Sequence, residues 1–158
     1  MTRGSSRSGD AVEVHGTAVA IDGQGLLLRG APGSGKSDLA LRLVDGGALL
    51  IADDLVRIER RGDGLWVGPA AGTPAALRHK IEIRGLGIAS LPGLEEAPLV
   101  LVADLVPGLV PERLPPAGFC DYLAVGLPLI ALDSFAASAA AKLRLAVKRG
   151  PRSIIPPP

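Results

Sequence analysis

Residues 30–37 read Gly30-Ala31-Pro32-Gly33-Ser34-Gly35-Lys36-Ser37, a match to G-x-x-x-x-G-K-[ST] standing between the apolar run Leu26-Leu27-Leu28 and a segment of helical periodicity. Strand, glycine-rich loop and helix in that order make a phosphate cradle. Gly33 and Gly35 allow backbone angles closed to other residues, so successive N–H groups can converge on one anion, and the helix that follows adds its positive end. Lys36 would reach the β and γ phosphates of a nucleoside triphosphate as a point charge, and Ser37 would offer its hydroxyl to Mg²⁺. Pro32 removes one N–H donor, which leaves the contacts to the amides of the other loop residues. A glycine-rich turn that binds nothing is the bland alternative; the flanking strand and helix argue against it.

A second apolar run, Leu49-Leu50-Ile51-Ala52, ends in Asp53-Asp54 one helix and one turn after Lys36. That is the pattern of a strand delivering acids to a phosphate-bound metal. Neighbouring residues of an extended strand point to opposite faces, so a strand continuing through the pair would aim only one carboxylate at the site; a break there would free both. Two acids permit a division of labour, one holding Mg²⁺ and the other accepting a proton from an attacking hydroxyl. The residues alone leave open which acid does which.

Around these motifs the turn chemistry is dense. Short β-type runs are expected over residues 11–14, 17–21, 26–29, 48–51, 55–59, 65–67, 81–84, 99–105 and 129–132, separated mostly by Gly, Asp or Pro. Helices are expected over 36–45 and 134–149. In the first, Leu39, Ala40, Leu43 and Val44 form an apolar face and Asp38 can pair with Arg42; the second gathers its cations late and stops at Gly150-Pro151. Strands outnumber helices and do not alternate with them. The expected fold class is therefore α/β of the mixed, strand-rich kind, a largely antiparallel mixed sheet with helices packed on it. A single domain over residues 11–150 suits the length, with a flexible tail at 1–10 and a Pro-rich tail at 151–158.

Composition narrows the partners. Lys and Arg number 17 against 16 Asp and Glu, so no field gathers nucleic acid or anionic lipid over the whole surface. Every apolar run is broken well short of the roughly 18–20 residues a membrane helix needs. The single cysteine, Cys120, can make no internal disulfide and reads as packing, which suits a cytoplasmic location. Nucleic acid and membranes are thus not expected partners.

Val14-His15-Gly16-Thr17, the cradle with Ser37-Asp38-Leu39-Ala40-Leu41-Arg42-Leu43, Leu50-Ile51-Ala52-Asp53-Asp54, and Ile81-Glu82-Ile83-Arg84-Gly85-Leu86-Gly87-Ile88 occur in that order. Together they resemble the catalytic domain of HPr kinase/phosphorylase, in a short form without the N-terminal domain of longer members. The resemblance implies a P-loop fold like that of phosphoenolpyruvate carboxykinase. It also implies ATP- and Mg²⁺-dependent phosphorylation of a serine on HPr, a small phosphocarrier protein of the bacterial sugar phosphotransferase system, with a phosphate-dependent reverse reaction in many members. By the same resemblance Asp53 is the catalytic acid/base, with His15 beside it. Asp54 and Ser37 are Mg²⁺ ligands, Glu82 is a further metal-site carboxylate, and Arg84 is a phosphate-site or supporting cation. On one strand, Glu82 and Arg84 would share a face.

The resemblance is loose after about residue 90. Where the family carries a Pro-Gly-Arg-Asn-like loop, this chain has Leu132-Asp133-Ser134-Phe135-Ala136-Ala137. Two other readings stay open: a nucleotide-binding regulator that transfers nothing, and a kinase of this fold acting on a small-molecule hydroxyl. A homo-oligomer is also left open.

Overall fold

The computed structural model describes residues 10–150; both expected tails lie outside the described residues, apart from Asp10. In chain order the elements are β1 (Ala11–His15), β2 (Thr17–Ile21), β3 (Gln24–Arg29), α1 (Lys36–Asp45), β4 (Leu49–Ala52), β5 (Leu55–Arg61), β6 (Gly64–Pro69), β7 (Lys80–Ile83), β8 (Gly87–Ser90), β9 (Ala97–Leu105), β10 (Gly118–Tyr122), β11 (Val125–Leu132) and α2 (Ala139–Arg149), with a 3₁₀ turn at Ala75–Leu77. The class is mixed and strand-rich, as its turn-punctuated sequence demands.

One nine-stranded sheet runs β1-β5-β6-β9-β3-β2-β4, with β11 joined to β9 and β10 to β11; β7 and β8 form a separate hairpin. The pairing of β3 with β9 and of β9 with β11 is parallel. β2 lies antiparallel to both β3 and β4, so β4 runs the same way as β3. Four strands therefore deliver their carboxyl ends to one edge, where β2 begins. Ligands of open α/β sheets bind outside such an edge.

Period-two alternation sends side chains to two cores. Val19, Leu26, Leu28, Leu50, Leu101 and Ala103 face one way, onto Leu39 and Leu43 of α1 and Leu143 and Val147 of α2. Ala18, Leu27, Ile51 and Val102 face the other way, onto Val56, Ile58 and Val67 of β5 and β6. Both faces of β2 are covered, and all five of its residues are buried. Ile81 and Ile83 of the β7–β8 hairpin enter the first core, so the hairpin packs beside α1. Cys120 lies half-buried against the second core, and burial pushes its thiol up, which fits the packing role expected of it.

Helix α1 keeps the expected bounds, and Asp38 pairs with Arg42 at 2.9 Å. Arg144 of α2 donates to the carbonyl of Arg42 at 2.9 Å, a second donor on an acceptor that also takes the Gly46 N–H at 3.2 Å, and so ties α2 to the last turn of α1. The second helix starts later than its periodicity suggests, at Ala139 rather than residue 134. The Asp133 carboxylate accepts the Phe135 N–H at 2.9 Å, and this side-chain turn holds residues 133–138 out of the helix. The strand beginning at residue 80 ends at Ile83, which leaves Arg84 in the hairpin turn, off the strand face it was expected to share with Glu82. Leu86 N–H closes that turn on the Ile83 carbonyl at 2.9 Å.

Candidate active site

The glycine-rich loop leaves β3 at the sheet edge and ends where α1 begins. Gly33 (φ 83°) and Gly35 (φ 94°) both take left-handed backbone angles, as the cradle requires. Lys36 bends back over the loop, its Nζ donating to the carbonyls of Gly30 at 2.7 Å and Ala31 at 3.2 Å. Ala31, Pro32 and Gly33 form the exposed rim. Ser34 is buried at the loop's floor, and its hydroxyl has no partner among the described residues. Such an orphaned group fits a cradle whose remaining polar partner is a ligand or ordered water. Ser37, in the first turn of α1, is half-buried.

The acid pair arrives on β4, and the strand breaks directly after Ala52. Asp54 adopts a left-handed backbone (φ 73°), a conformation Asp tolerates better than most residues. Its carbonyl accepts the Gly16 N–H at 3.1 Å, which pins the turn to the β1–β2 junction. The break parts the two carboxylates: Asp53 is half-buried, whereas Asp54 is exposed. Thr17, fully buried at the head of β2, donates from Oγ1 to Asp53 Oδ1 at 2.7 Å. Burial pushes the Asp53 carboxyl above its ordinary value, and the neighbouring Asp54 charge adds to the rise. The Thr17 hydrogen bond, the Asp54 N–H and the Lys36 ammonium pull the other way. An acid raised by burial and aimed by a hydroxyl is suited to proton transfer.

His15 ends β1, pairs with Leu55, and is exposed immediately beside the acid turn. Glu82 and Arg84 are exposed on the hairpin beside α1. The hairpin is thus a neighbour of the site's helix. Among the described residues no three His, Cys, Asp or Glu side chains gather closely enough to hold a metal ion together, so Glu82 does not join Asp53 and Asp54 in one cluster. One hydroxyl and one or two carboxylates at a phosphate cradle suit Mg²⁺, which keeps several waters and takes the rest of its ligands from phosphate oxygens.

Several supporting groups were invisible to motif reading. Arg29, the last residue of β3, grips Asp104 of β9 through two hydrogen bonds of 2.7 and 2.9 Å and reaches the Tyr122 hydroxyl of β10 at 2.9 Å. These contacts hold the guanidinium's pKa above its ordinary value and tie three strands together directly under the loop. Ser134 is buried and donates to the Ser34 carbonyl, and Arg42 donates to the carbonyls of Ser134 and, at 3.4 Å, Ala136. The loop after β11 is thereby clamped against the cradle and α1. Thr17 lay inside a quoted motif; Arg29, Asp104, Tyr122 and Ser134 carried no local signal.

Residues 8–94, more than half of the chain, match the model of the HPr Serine kinase C-terminal domain. The chain belongs to that family. Within the HPr kinase family it is similar to the HPr kinase/phosphorylase of Exiguobacterium sibiricum, 49% identical over 75 residues, which are 48% of this chain and 23% of that protein. It is also similar to the HPr kinase/phosphorylase of Lachnoclostridium phytofermentans, 40% identical over 98 residues, 60% of this chain and 31% of that protein. The matched stretch thus spans less than a third of either relative's length. The solved structure of the Hpr(Ser) kinase/phosphatase from Coxiella burnetii superposes with a TM-score of 0.75 at 22% identity, covering 90% of this chain and 98% of that one. The family fold therefore extends past residue 94, into the clamped loop and α2. Every site residue singled out in the sequence, from His15 to Arg84, lies inside the matched family region.

No helix among the described residues is long and apolar enough to cross a membrane.

Proposed function

We propose that the protein is an ATP-dependent serine kinase of cytoplasmic location whose acceptor is an HPr-type phosphocarrier protein. The observation that carries this reading is the half-buried Asp53, raised in pKa and oriented by Thr17, beside a loop closed by Lys36. A nucleotide-binding fold with no chemistry to perform would need no carboxylate in that condition. Membership of the HPr kinase family supports the choice of acceptor.

In the forward direction the loop amides and Lys36 hold the triphosphate, and Lys36 exchanges its two carbonyl partners for phosphate oxygens. Asp53 accepts the proton of the serine hydroxyl as that oxygen attacks the γ phosphorus, and the bond from that phosphorus to the β–γ bridging oxygen breaks to release ADP. Ser37 and Asp54 would hold Mg²⁺, which when bound neutralises charge spread over the β and γ phosphates. His15, beside the turn, is assigned to the support of Asp53. Glu82 and Arg84 stay in the proposal as groups of the adjoining hairpin, supported by their position in the matched region and by no contact to the loop. Phosphate-dependent dephosphorylation uses the same site with inorganic phosphate in place of ADP: a phosphate oxygen attacks the phosphoserine phosphorus, the serine O–P bond breaks, protonated Asp53 gives its proton to the departing serine oxygen, and pyrophosphate is released.

The deciding assay incubates the protein with γ-labelled ATP, Mg²⁺, purified HPr and small-molecule hydroxyl compounds such as free serine, then adds inorganic phosphate. Label on a serine of HPr is the expected result, and pyrophosphate after phosphate addition would extend it to the reverse reaction. Label on a small-molecule hydroxyl instead would overturn the acceptor, and nucleotide-dependent binding of HPr without label would overturn the kinase.

A further inference from the structure

We infer that Phe135 is the platform on which the nucleobase stacks, an inference that rests on the nucleotide reading above and adds to it the place where the base lies. Along the edge that carries the site, the strands succeed one another as β4, β2, β3, β9, β11. The cradle follows β3, Asp53 follows β4 on one side, and the loop holding Phe135 follows β11 on the other. A triphosphate with its terminal phosphate between Lys36 and Asp53 must lead its ribose and base away from β4. That direction runs across β9 toward the loop after β11.

Phe135 waits there. Its ring lies against the cradle itself: a methyl group added at Gly35 would come within 3.0 Å of its Cζ. It is nonetheless 56% exposed, so much of the side chain remains open to solvent beside the loop. Its own N–H is bound by the Asp133 carboxylate, the preceding Ser134 is tied to the Ser34 carbonyl, and Arg42 holds the carbonyls on either side. An exposed ring on a polar-clamped loop is preorganised for a flat ligand, since stacking then costs little further ordering.

Of the aromatic side chains, Phe135 is the one placed against the loop. The chain has four. Trp66 lies on β6 beneath the Arg61 guanidinium, Tyr122 is engaged by Arg29, and Phe119 is on the outer strand β10, which pairs only with β11. A stacking platform accepts the π-face of any base, so the site should take adenine and guanine nucleotides with similar affinity.

The test titrates wild type, Phe135→Ala and Phe135→Trp calorimetrically with two probes, ATP and inorganic tripolyphosphate, each with Mg²⁺. Phe135→Ala is expected to weaken ATP about tenfold while leaving tripolyphosphate, which has no base, within about twofold. Phe135→Trp should retain ATP affinity, and its added indole fluorescence should respond to ATP and not to tripolyphosphate. Unchanged ATP affinity in Phe135→Ala would overturn the inference, as would equal weakening of both probes, which would assign the ring to holding the loop. Wild type that binds neither probe would overturn the nucleotide reading and this inference together; wild type that binds both separates the two failures.

Discussion

Thr17 Oγ1 and Asp53 Oδ1 are joined by a 2.7 Å hydrogen bond that bridges the start of β2 and the end of β4, 36 residues apart. The donor is fully buried, so the bond fixes one carboxylate oxygen at the head of β2. It also favours the charged carboxylate against the burial that opposes it.

Replacing Thr17 by the near-isosteric Val should therefore raise the Asp53 pKa further. The inflection in the pH–rate profile for forward transfer is expected to move to higher pH, with transfer near neutral pH reduced about tenfold and ATP affinity unchanged. Thr17→Ser should restore both. A profile that does not move would detach Thr17 from the chemistry.

Asp53→Asn is expected to abolish transfer while leaving ATP binding within about tenfold, because the group acts on the proton and less on the bound ground state. Its stability should carry a matching signature. The folded-state pKa of Asp53 lies above the unfolded one, so the folded protein holds this proton more tightly; stability from the group is fully present below the unfolded pKa and is lost as pH rises through the folded one. Thermal melts from about pH 4 to about pH 8 should show Asp53→Asn gaining on wild type as pH rises. A gap that shrinks with rising pH would contradict the burial of the charge.

Lys36→Ala removes the ammonium now held by the Gly30 and Ala31 carbonyls. Both nucleotide affinity and transfer should fall by at least about a hundredfold, since a desolvated charge on the phosphates is lost together with the group that organises the loop. Calorimetric titration with ATP and Mg²⁺ checks it; unchanged affinity would dismantle the cradle.

Gly35→Ala tests the clamp from the loop side. The new methyl group would run into Ser134 Oγ and the Phe135 ring at a backbone angle of φ 94° that alanine disfavours. A loss of about 1–3 kcal/mol in unfolding free energy is expected from strain and displaced neighbours. Denaturant melts measure it.

Asp104→Asn leaves the Arg29 guanidinium without its two-point partner under the loop. The Asp104 side chain is 36% exposed, so solvent screening limits the expected loss of stability to about 1 kcal/mol. Nucleotide affinity should fall with it, because the residue after Arg29 is the first of the cradle.

The parts of this molecule that could be read from its sequence are those in which neighbours along the chain are also neighbours in space. Leu26-Leu27-Leu28, the glycine loop and Lys36–Asp45 form strand, cradle and helix by local propensity and by the angles glycine allows. The Asp53-Asp54 turn was legible for the same reason, although its break, and hence the division into a half-buried and an exposed acid, needed the pinning of Asp54 to Gly16. Strands β8 and β10 went unread. Four exposed or half-exposed residues of β8 and the polar-interrupted Gly118–Tyr122 bury too little for a period-two signal to stand out. Residue 134 looked like the start of a helix because alanine periodicity outweighed the side-chain turn of Asp133.

What only the tertiary structure decided is the far wall of the site. Ser134 reaches Ser34 across 100 residues, and Arg29 reaches Asp104 and Tyr122 across 75 and 93. Those meetings depend on the parallel pairing of β3 with β9 and of β9 with β11, a register set by burial on both sheet faces and by no pattern within either segment. The amino-acid order alone specified a glycine-rich loop between strand and helix and an acid pair after the next strand; the parallel pairing added the walls around them.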